Sequence, residues 1–278
     1  MDDLVSTAWL ASELGAPDLT ILDATYFLPD AGRSARDEYD RRHIPGARFF
    51  DIEAIVDHDQ IYPHMLPDAP CFGQAMRDLG VGQDDRIIVY DNSPLRTAVR
   101  AWFMLRHFGA PHVALLDGGL AKWVAEGRPT DGGEPAGREA LFDAEARQGD
   151  TVTKEEVAHG LGLPLVDARS QPRFEGSEKD PRPGVAAGHI PGARNLPYAA
   201  CYRPDGTFKR DSELEEVFAA AGVDPRQPFI ASCGSGVTAN SLVFAAHLLG
   251  NDRVRLYDGS WSEWGADPRS EKELGPAR

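Results

Sequence analysis

Cys233-Gly234-Ser235-Gly236-Val237-Thr238-Ala239 is the stretch of this chain best equipped for chemistry. A cysteine acts as its thiolate, so its reactivity depends on how readily the thiol gives up its proton. Ahead of it lies a short β-like run, Pro228-Phe229-Ile230-Ala231-Ser232. Behind it, Val237 to Leu249 is apolar at helical spacing and Gly250 closes the run. The pattern predicts a strand, a Gly-rich loop and a helix from Val237, with Cys233 at the strand end. Backbone N–H groups at a helix start lack intrahelical partners and the dipole there is positive, so an anion is favoured. A thiolate in that setting ionises more easily than free cysteine, which titrates at about 8.5. A cysteine taken at random is more often a small buried apolar residue. Gly234 and Gly236 favour the nucleophile, because a curled backbone needs them.

Composition narrows the chemistry. A Cys-dependent phosphatase needs an arginine six positions after its cysteine to clamp phosphate; here that position is Ala239, and no arginine occurs between Cys233 and Gly250. Three cysteines, Cys71, Cys201 and Cys233, stand at unrelated spacings, which supports neither a disulfide framework nor a metal site and implies a reducing compartment. No cofactor motif is evident. The formal net charge of −15 argues against nucleic acid and anionic membrane surfaces as partners. An anionic substrate would need local arginines to overcome that field. Met1-Asp2-Asp3-Leu4-Val5-Ser6 has neither a basic nor an apolar leader region, and no apolar stretch reaches the length of a bilayer span, so the expectation is a soluble, cytoplasmic protein.

The elements that must position Cys233 occur twice. His43-Ile44-Pro45-Gly46-Ala47-Arg48 returns as His189-Ile190-Pro191-Gly192-Ala193-Arg194, and Leu22-Asp23-Ala24 as Val166-Asp167-Ala168. Leu116-Asp117-Gly118-Gly119-Leu120 returns as Tyr257-Asp258-Gly259-Ser260-Trp261. Matches in the same order imply two copies of one domain. Strand-like segments at 21–24, 47–50, 86–90 and 113–116 alternate with helix-like segments at 71–79 and 97–108. The second copy offers strands at 164–167, 194–196, 229–231 and 254–257, and Ser212-Glu213-Leu214-Glu215 reads as a capping box. Alternation of this kind predicts an α/β fold with a mostly parallel sheet in each copy. The expected division is a first domain over 1–135, a Gly/Pro-rich linker over 136–150 and a second domain over 151–278. Asp91 falls opposite Cys233, so the first copy is expected to be catalytically silent. His43 and His189, being in both copies, are expected to serve the turn rather than chemistry, with the Ile-Pro-Gly glycine relieving crowding. Trp261 and Trp264 are expected to pack, and Cys201 to be incidental.

Tyr39-x-x-x-His43-Ile44-Pro45-Gly46, the Cys233 loop and Tyr257-Asp258-Gly259-Ser260-Trp261-Ser262-Glu263-Trp264 resemble the signatures of the two-domain rhodanese family, from about Leu4 to Trp264. Its fold is two tandem rhodanese-like domains, each a mostly parallel sheet flanked by helices. The Cys-Gly-Ser-Gly-Val-Thr loop looks like that of the 3-mercaptopyruvate-specific members; thiosulfate-specific members carry basic residues where this chain has Gly234 and Ser235. The resemblance implies an enzyme in which Cys233 takes the sulfur of 3-mercaptopyruvate as a persulfide, releases pyruvate, and passes the sulfur to thioredoxin, a small thiol or cyanide. It implies that Arg173 and Arg182 hold the substrate, that the loop N–H groups of Gly234, Gly236, Val237 and Thr238 line the site, and that Ser235, His64 and Glu53 relay protons. Asp51 is the neighbour with which Glu53 could be confused. Arg96 stands where relatives often carry an aromatic residue. The alternatives are a thiosulfate:cyanide sulfurtransferase and a non-catalytic sulfur carrier.

Overall fold

The computed structural model describes residues 1–277 and divides into two compact units. The first comprises residues 1–57, 66–147 and 204–208; the second comprises 58–65, 148–203 and 209 onward. The first unit holds β1 (Leu4–Val5), β2 (Leu19–Asp23), β3 (Arg48–Phe49), β4 (Arg86–Tyr90) and β5 (Val113–Leu116) in the order β1-β5-β4-β2-β3. The second holds β6 (Thr151–Val152), β7 (Leu165–Asp167), β8 (Arg194–Asn195), β9 (Ile230–Ser232) and β10 (Arg255–Tyr257) in the order β6-β10-β9-β7-β8. Every pairing is parallel, and the two orders are the same topology. The edge strands β1 and β6, two residues each, are too short to leave a period in the sequence.

A parallel sheet is covered on both faces, so its central strands read as apolar runs. Ile87, Ile88, Val89 and Tyr90 of β4 are all buried. Helices Ala98–His107 and Asn240–Leu248 follow β4 and β9 and are buried nearly all round, as a helix apolar on every face must be. They are the rigid posts behind the two loops. Trp123 centres the first core with Ile21, Ile88 and Tyr90; Trp261 and Trp264 join Phe174 and Ile230 in the second. Each large aromatic buried this way contributes about 1.5–3 kcal/mol. The indole N–H groups of Trp261 and Trp264 donate to the carbonyls of Ala186 (2.9 Å) and Glu271 (2.7 Å), so both residues pack as expected. No helix among the described residues is long and apolar enough to cross a membrane.

Three local expectations need correction. The helix after Cys233 begins at Asn240 rather than Val237. Gly236 sits at φ +70°, outside the right-handed helical region, and the Asn240 side-chain amide takes the carbonyls of Gly236 (2.7 Å) and Val237 (3.0 Å). Ser212 caps nothing, because its helix already starts at Asp211, with Arg210 at the cap and no side-chain bond there. The reciprocal capping box is at Thr153 and Glu156: Glu156 N–H donates to Thr153 Oγ1 (3.2 Å) and Thr153 N–H to Glu156 Oε2 (2.8 Å). Such a cap contributes roughly 1 kcal/mol. Finally, Gly46 and Gly192 have open space where a Cβ would stand. Their glycine is required by φ values of +76° and +75°, not by crowding.

The duplicated histidines pack. His43 stacks on Tyr39 (centroids 4.2 Å, 12°) and its Nδ1–H donates to the Tyr39 carbonyl at 2.7 Å. His189 stacks on Phe174 (3.7 Å, 11°) and donates to that carbonyl at 2.9 Å. The stretch 136–147 runs without regular structure along the first unit. Arg138 forms a two-pronged ion pair with Asp85 (2.7 Å on each oxygen), and Phe142 is buried edge-on against Phe72 (5.7 Å).

Candidate functional site

Cys233 is the first residue beyond β9 and is 1% exposed. Its backbone is held on both sides. Its N–H donates to Ser260 Oγ (3.0 Å), and its carbonyl accepts from Trp261 N–H (3.0 Å). The Gly234 carbonyl accepts from Ser262 N–H (2.8 Å) and from Arg182 Nη1 (2.6 Å). Among the described residues, the N–H groups of Gly234, Ser235, Val237 and Thr238 meet no protein acceptor. The two glycines have separate causes: Gly236 supplies the positive φ, whereas a Cβ on Gly234 would lie 3.1 Å from Arg182 Nη2.

Arg173 and Arg182 meet on one carboxylate. Asp180 Oδ2 accepts from Arg173 Nη2 (2.7 Å) and Arg182 Nη2 (2.8 Å); Oδ1 accepts from Arg182 Nε (2.8 Å) and Arg182 N–H (3.0 Å). The Asp180 side chain is 1% exposed. Burial pulls its pKa up, but the hydrogen bonds and charge of Arg182, with help from Arg173, outweigh that and set it at about 2. The arginines stay about a quarter exposed. Arg173 Nε is buried without a hydrogen-bond partner, an unmet donor. An anion at Gly234 would thus face two guanidiniums whose planes are already fixed.

His64 comes from the early part of the chain yet belongs to the second unit. Its Nδ1 shares a hydrogen bond of 2.9 Å with Ser235 Oγ. It holds φ +63°, a left-handed conformation that costs a residue with a side chain about 1 kcal/mol or more and that the surroundings must enforce. Cys233, Ser235, His64, Arg173 and Arg182 are therefore gathered in one unit. Glu53 is not among them. It lies in the first unit after β3, with its side chain exposed and no hydrogen bond to its carboxylate among the described residues. Partial desolvation, then the neighbouring Asp51, raises its pKa. Asp51 Oδ1 accepts the N–H groups of Glu53 (2.9 Å) and Ala54 (3.3 Å).

The first unit places Asp91 where the second has Cys233. Asp91 follows β4, and its carbonyl accepts from Leu120 N–H at 3.0 Å, the counterpart of the Trp261 bond. Its carboxylate folds back to accept from Ser93 N–H (2.9 Å) and Ala98 N–H (2.8 Å). Burial raises its pKa against these bonds and against Arg96. Arg96, at φ +56°, directs its guanidinium to Gly206 of the same unit.

Two residues escaped sequence reasoning. Asp180 was legible only as part of a charged loop. Ser260 is buried at φ +49° where the repeat has Gly119 at +58°. A side chain at a position that the other copy gives to glycine was the available signal.

The sequence profile of the rhodanese-like domain matches residues 6–126 and 151–267. The chain belongs to the rhodanese family. It is 41% identical over 270 residues to the 3-mercaptopyruvate sulfurtransferase of Mus musculus, covering 94% of this chain and 91% of that protein. It is 40% identical over 271 residues to the thiosulfate sulfurtransferase of Rattus norvegicus, with the same coverage. The crystal structure of SseA from Escherichia coli, described as a 3-mercaptopyruvate sulfotransferase, superposes with a TM-score of 0.86 at 40% identity, covering 94% of this chain and 99% of SseA. Relatives named 3-mercaptopyruvate sulfurtransferase, at 40–43% identity, and thiosulfate sulfurtransferase, at 40%, both match over nearly the whole chain.

Proposed function

We propose that this rhodanese-family chain is a 3-mercaptopyruvate sulfurtransferase with Cys233 as its nucleophile. The Cys233 thiolate attacks the substrate sulfur; an S–S bond forms and the C–S bond breaks. The electron pair leaves on carbon as the enolate of pyruvate, which takes up a proton, and the sulfur stays as a Cys233 persulfide. A thiol acceptor, thioredoxin or a small thiol, or cyanide, then removes the outer sulfur. The loop N–H groups of Gly234, Val237 and Thr238, which have no protein acceptor, together with Gly236, would hold thiolate and persulfide charge. Arg173 and Arg182 would take the carboxylate and ketone oxygens. The Ser235–His64 pair would carry the proton, an imidazole being able to do so near neutral pH. Glu53 keeps a proposed part in that relay, with Asp51 its alternative. Three cysteines without disulfides fit a reducing, cytoplasmic setting.

The observation that carries the reading is the pair of guanidiniums fixed on Asp180 beside an uncharged Gly234-Ser235 loop: it suits a carboxylate next to a sulfur. The same two cations could receive the thiosulfate dianion, which is the second reading. Incubating the protein with each donor and weighing the Cys233 peptide separates them. One added sulfur with pyruvate release from 3-mercaptopyruvate, faster than transfer from thiosulfate, is the expected result. Faster transfer from thiosulfate replaces the first reading with the second, and transfer from neither leaves a carrier without catalysis.

A further inference from the structure

The first unit contains a cavity of about 500 Å³ that sulfur transfer leaves without a role. It opens beyond the carboxyl ends of β2 and β4, where ligands of open parallel sheets bind. Buried Asp23, Thr25 and Leu120 lie at its depth; exposed Arg41 and Arg42 lie at its mouth.

The second unit explains why the cavity exists. Thr25 N–H donates to Asp23 Oδ1 (3.0 Å), and its counterpart Arg169 N–H donates to Asp167 Oδ1 (2.9 Å). There the resemblance ends. The Arg169 guanidinium closes on Asp167 (Nη2–Oδ2 2.6 Å), donates to the Gly188 carbonyl (2.8 Å) and lies 4.6 Å from the Trp261 ring centroid. In the first unit, Thr25 stands at the position of Arg169 and Leu120 at that of Trp261, so cation and indole are both missing there, and both replacements line the cavity.

The acid remains. Asp23 is 2% exposed and accepts on Oδ1 from Thr25 N–H and Oγ1, with no cation beside it. Burial raises its pKa to about 6, against the hydrogen bonds of Thr25 and Tyr90 and with a further push from Asp91. Above neutrality it is therefore a buried carboxylate without a counter-charge, which is costly until a cation arrives. Of the other charged groups on the wall, Arg33 is held by Glu38 (2.7 and 2.6 Å). Glu38 also accepts from Asn92 (3.3 Å) and is stabilised by the charge of Arg41. Arg41 and Arg42 form no ion pair among the described residues. The charges run from a buried anion without a cation at the bottom to two cations at the top, Arg41 sharing the field of Glu38 and neither held in an ion pair among the described residues.

We propose that this cavity binds a small zwitterion. Its guanidinium or ammonium group sits on Asp23 in the place of the Arg169 side chain, and its carboxylate lies against Arg41 and Arg42. A free amino acid with a long cationic side chain has that form. Titration of the full chain at pH 7.5 with L-arginine and L-lysine, followed by calorimetry, tests this. The expected result is saturable one-to-one binding of at least one of them. That binding should weaken about tenfold in Asp23→Asn, weaken several-fold in the surface variant Arg42→Ala, and vanish in the double variant Thr25→Arg/Leu120→Trp, which rebuilds the second unit's filling. Agmatine, a guanidinium without the carboxylate, should bind several-fold more weakly than L-arginine. The proposal is overturned by saturable binding of neither amino acid, by full-strength binding in the double variant, or by agmatine binding as tightly as L-arginine.

Discussion

The loops after β4 and β9 are the same piece of architecture put to opposite uses. Each follows a central strand, is tied by its first carbonyl to the helix after the Asp-Gly motif, and ends at a buried helix, Ala98–His107 or Asn240–Leu248. In the first loop the anion is built in: the Asp91 carboxylate takes Ser93 N–H and Ala98 N–H for itself. In the second, Cys233 brings a side chain too short to fold back, and the N–H groups of Gly234, Ser235, Val237 and Thr238 meet no acceptor among the described residues. A loop with donors left over and a self-satisfied turn thus differ by whether the loop answers its own N–H groups, and only the first is open to an external anion.

Cys233→Ser is the sharpest test of that contrast. It should lower pyruvate release from 3-mercaptopyruvate by roughly three orders of magnitude or more, since a hydroxyl cannot carry the sulfur. Asp91→Ala should leave turnover within about twofold and instead cost about 1–2 kcal/mol of stability, by stripping partners from two buried N–H groups; a turnover loss matching that of Cys233→Ser would break the comparison. Between these extremes, Asp180→Asn should cut kcat/KM by ~10–100-fold, mostly through KM, as the arginines lose their common anchor. Asp180 also sets a pH window. Its folded pKa, about 2, lies below the ordinary carboxylate value of about 3.9. Its contribution, on the order of 2 kcal/mol, is thus present above about pH 4 and lost as pH falls towards 2. Acid unfolding of the wild type and Asp180→Asn should converge over that range. The smallest effect concerns the other thiols. Cys201 is buried with its pKa pushed up to about 12, so an alkylating reagent at pH 8 should label exposed Cys71 and spare Cys201, with turnover unchanged in Cys71→Ser.

Much of this was legible from residues alone. Apolar runs, Gly stops and the repeated His-Ile-Pro-Gly revealed two parallel-sheet units, because burial on both faces of a sheet leaves a one-dimensional trace. Cys233 was legible because its loop needs glycine, and Asp91 because the repeat aligned it. What stayed hidden depends on contacts distant in sequence or on dihedrals. Nothing in Asp180-Pro181-Arg182 says that the carboxylate also holds Arg173, and Ser260 looks ordinary until its φ is known. The early helix start at Val237 failed for a related reason: apolar spacing begins at Val237, but Val237, Thr238 and Ala239 form a bend and turn before the helix opens at Asn240, and periodicity does not register that.

His64 carries a consequence for ancestry. It lies between residues 1–57 and 66–147, both of the first unit, yet it contributes to the second, where it meets Ser235. A gene split between the repeats would pass on Cys233, Ser235 and both arginines to one product and His64 to the other. A second repeat on its own would keep Cys233, Ser235 and both arginines but lose the hydrogen bond that His64 makes to Ser235.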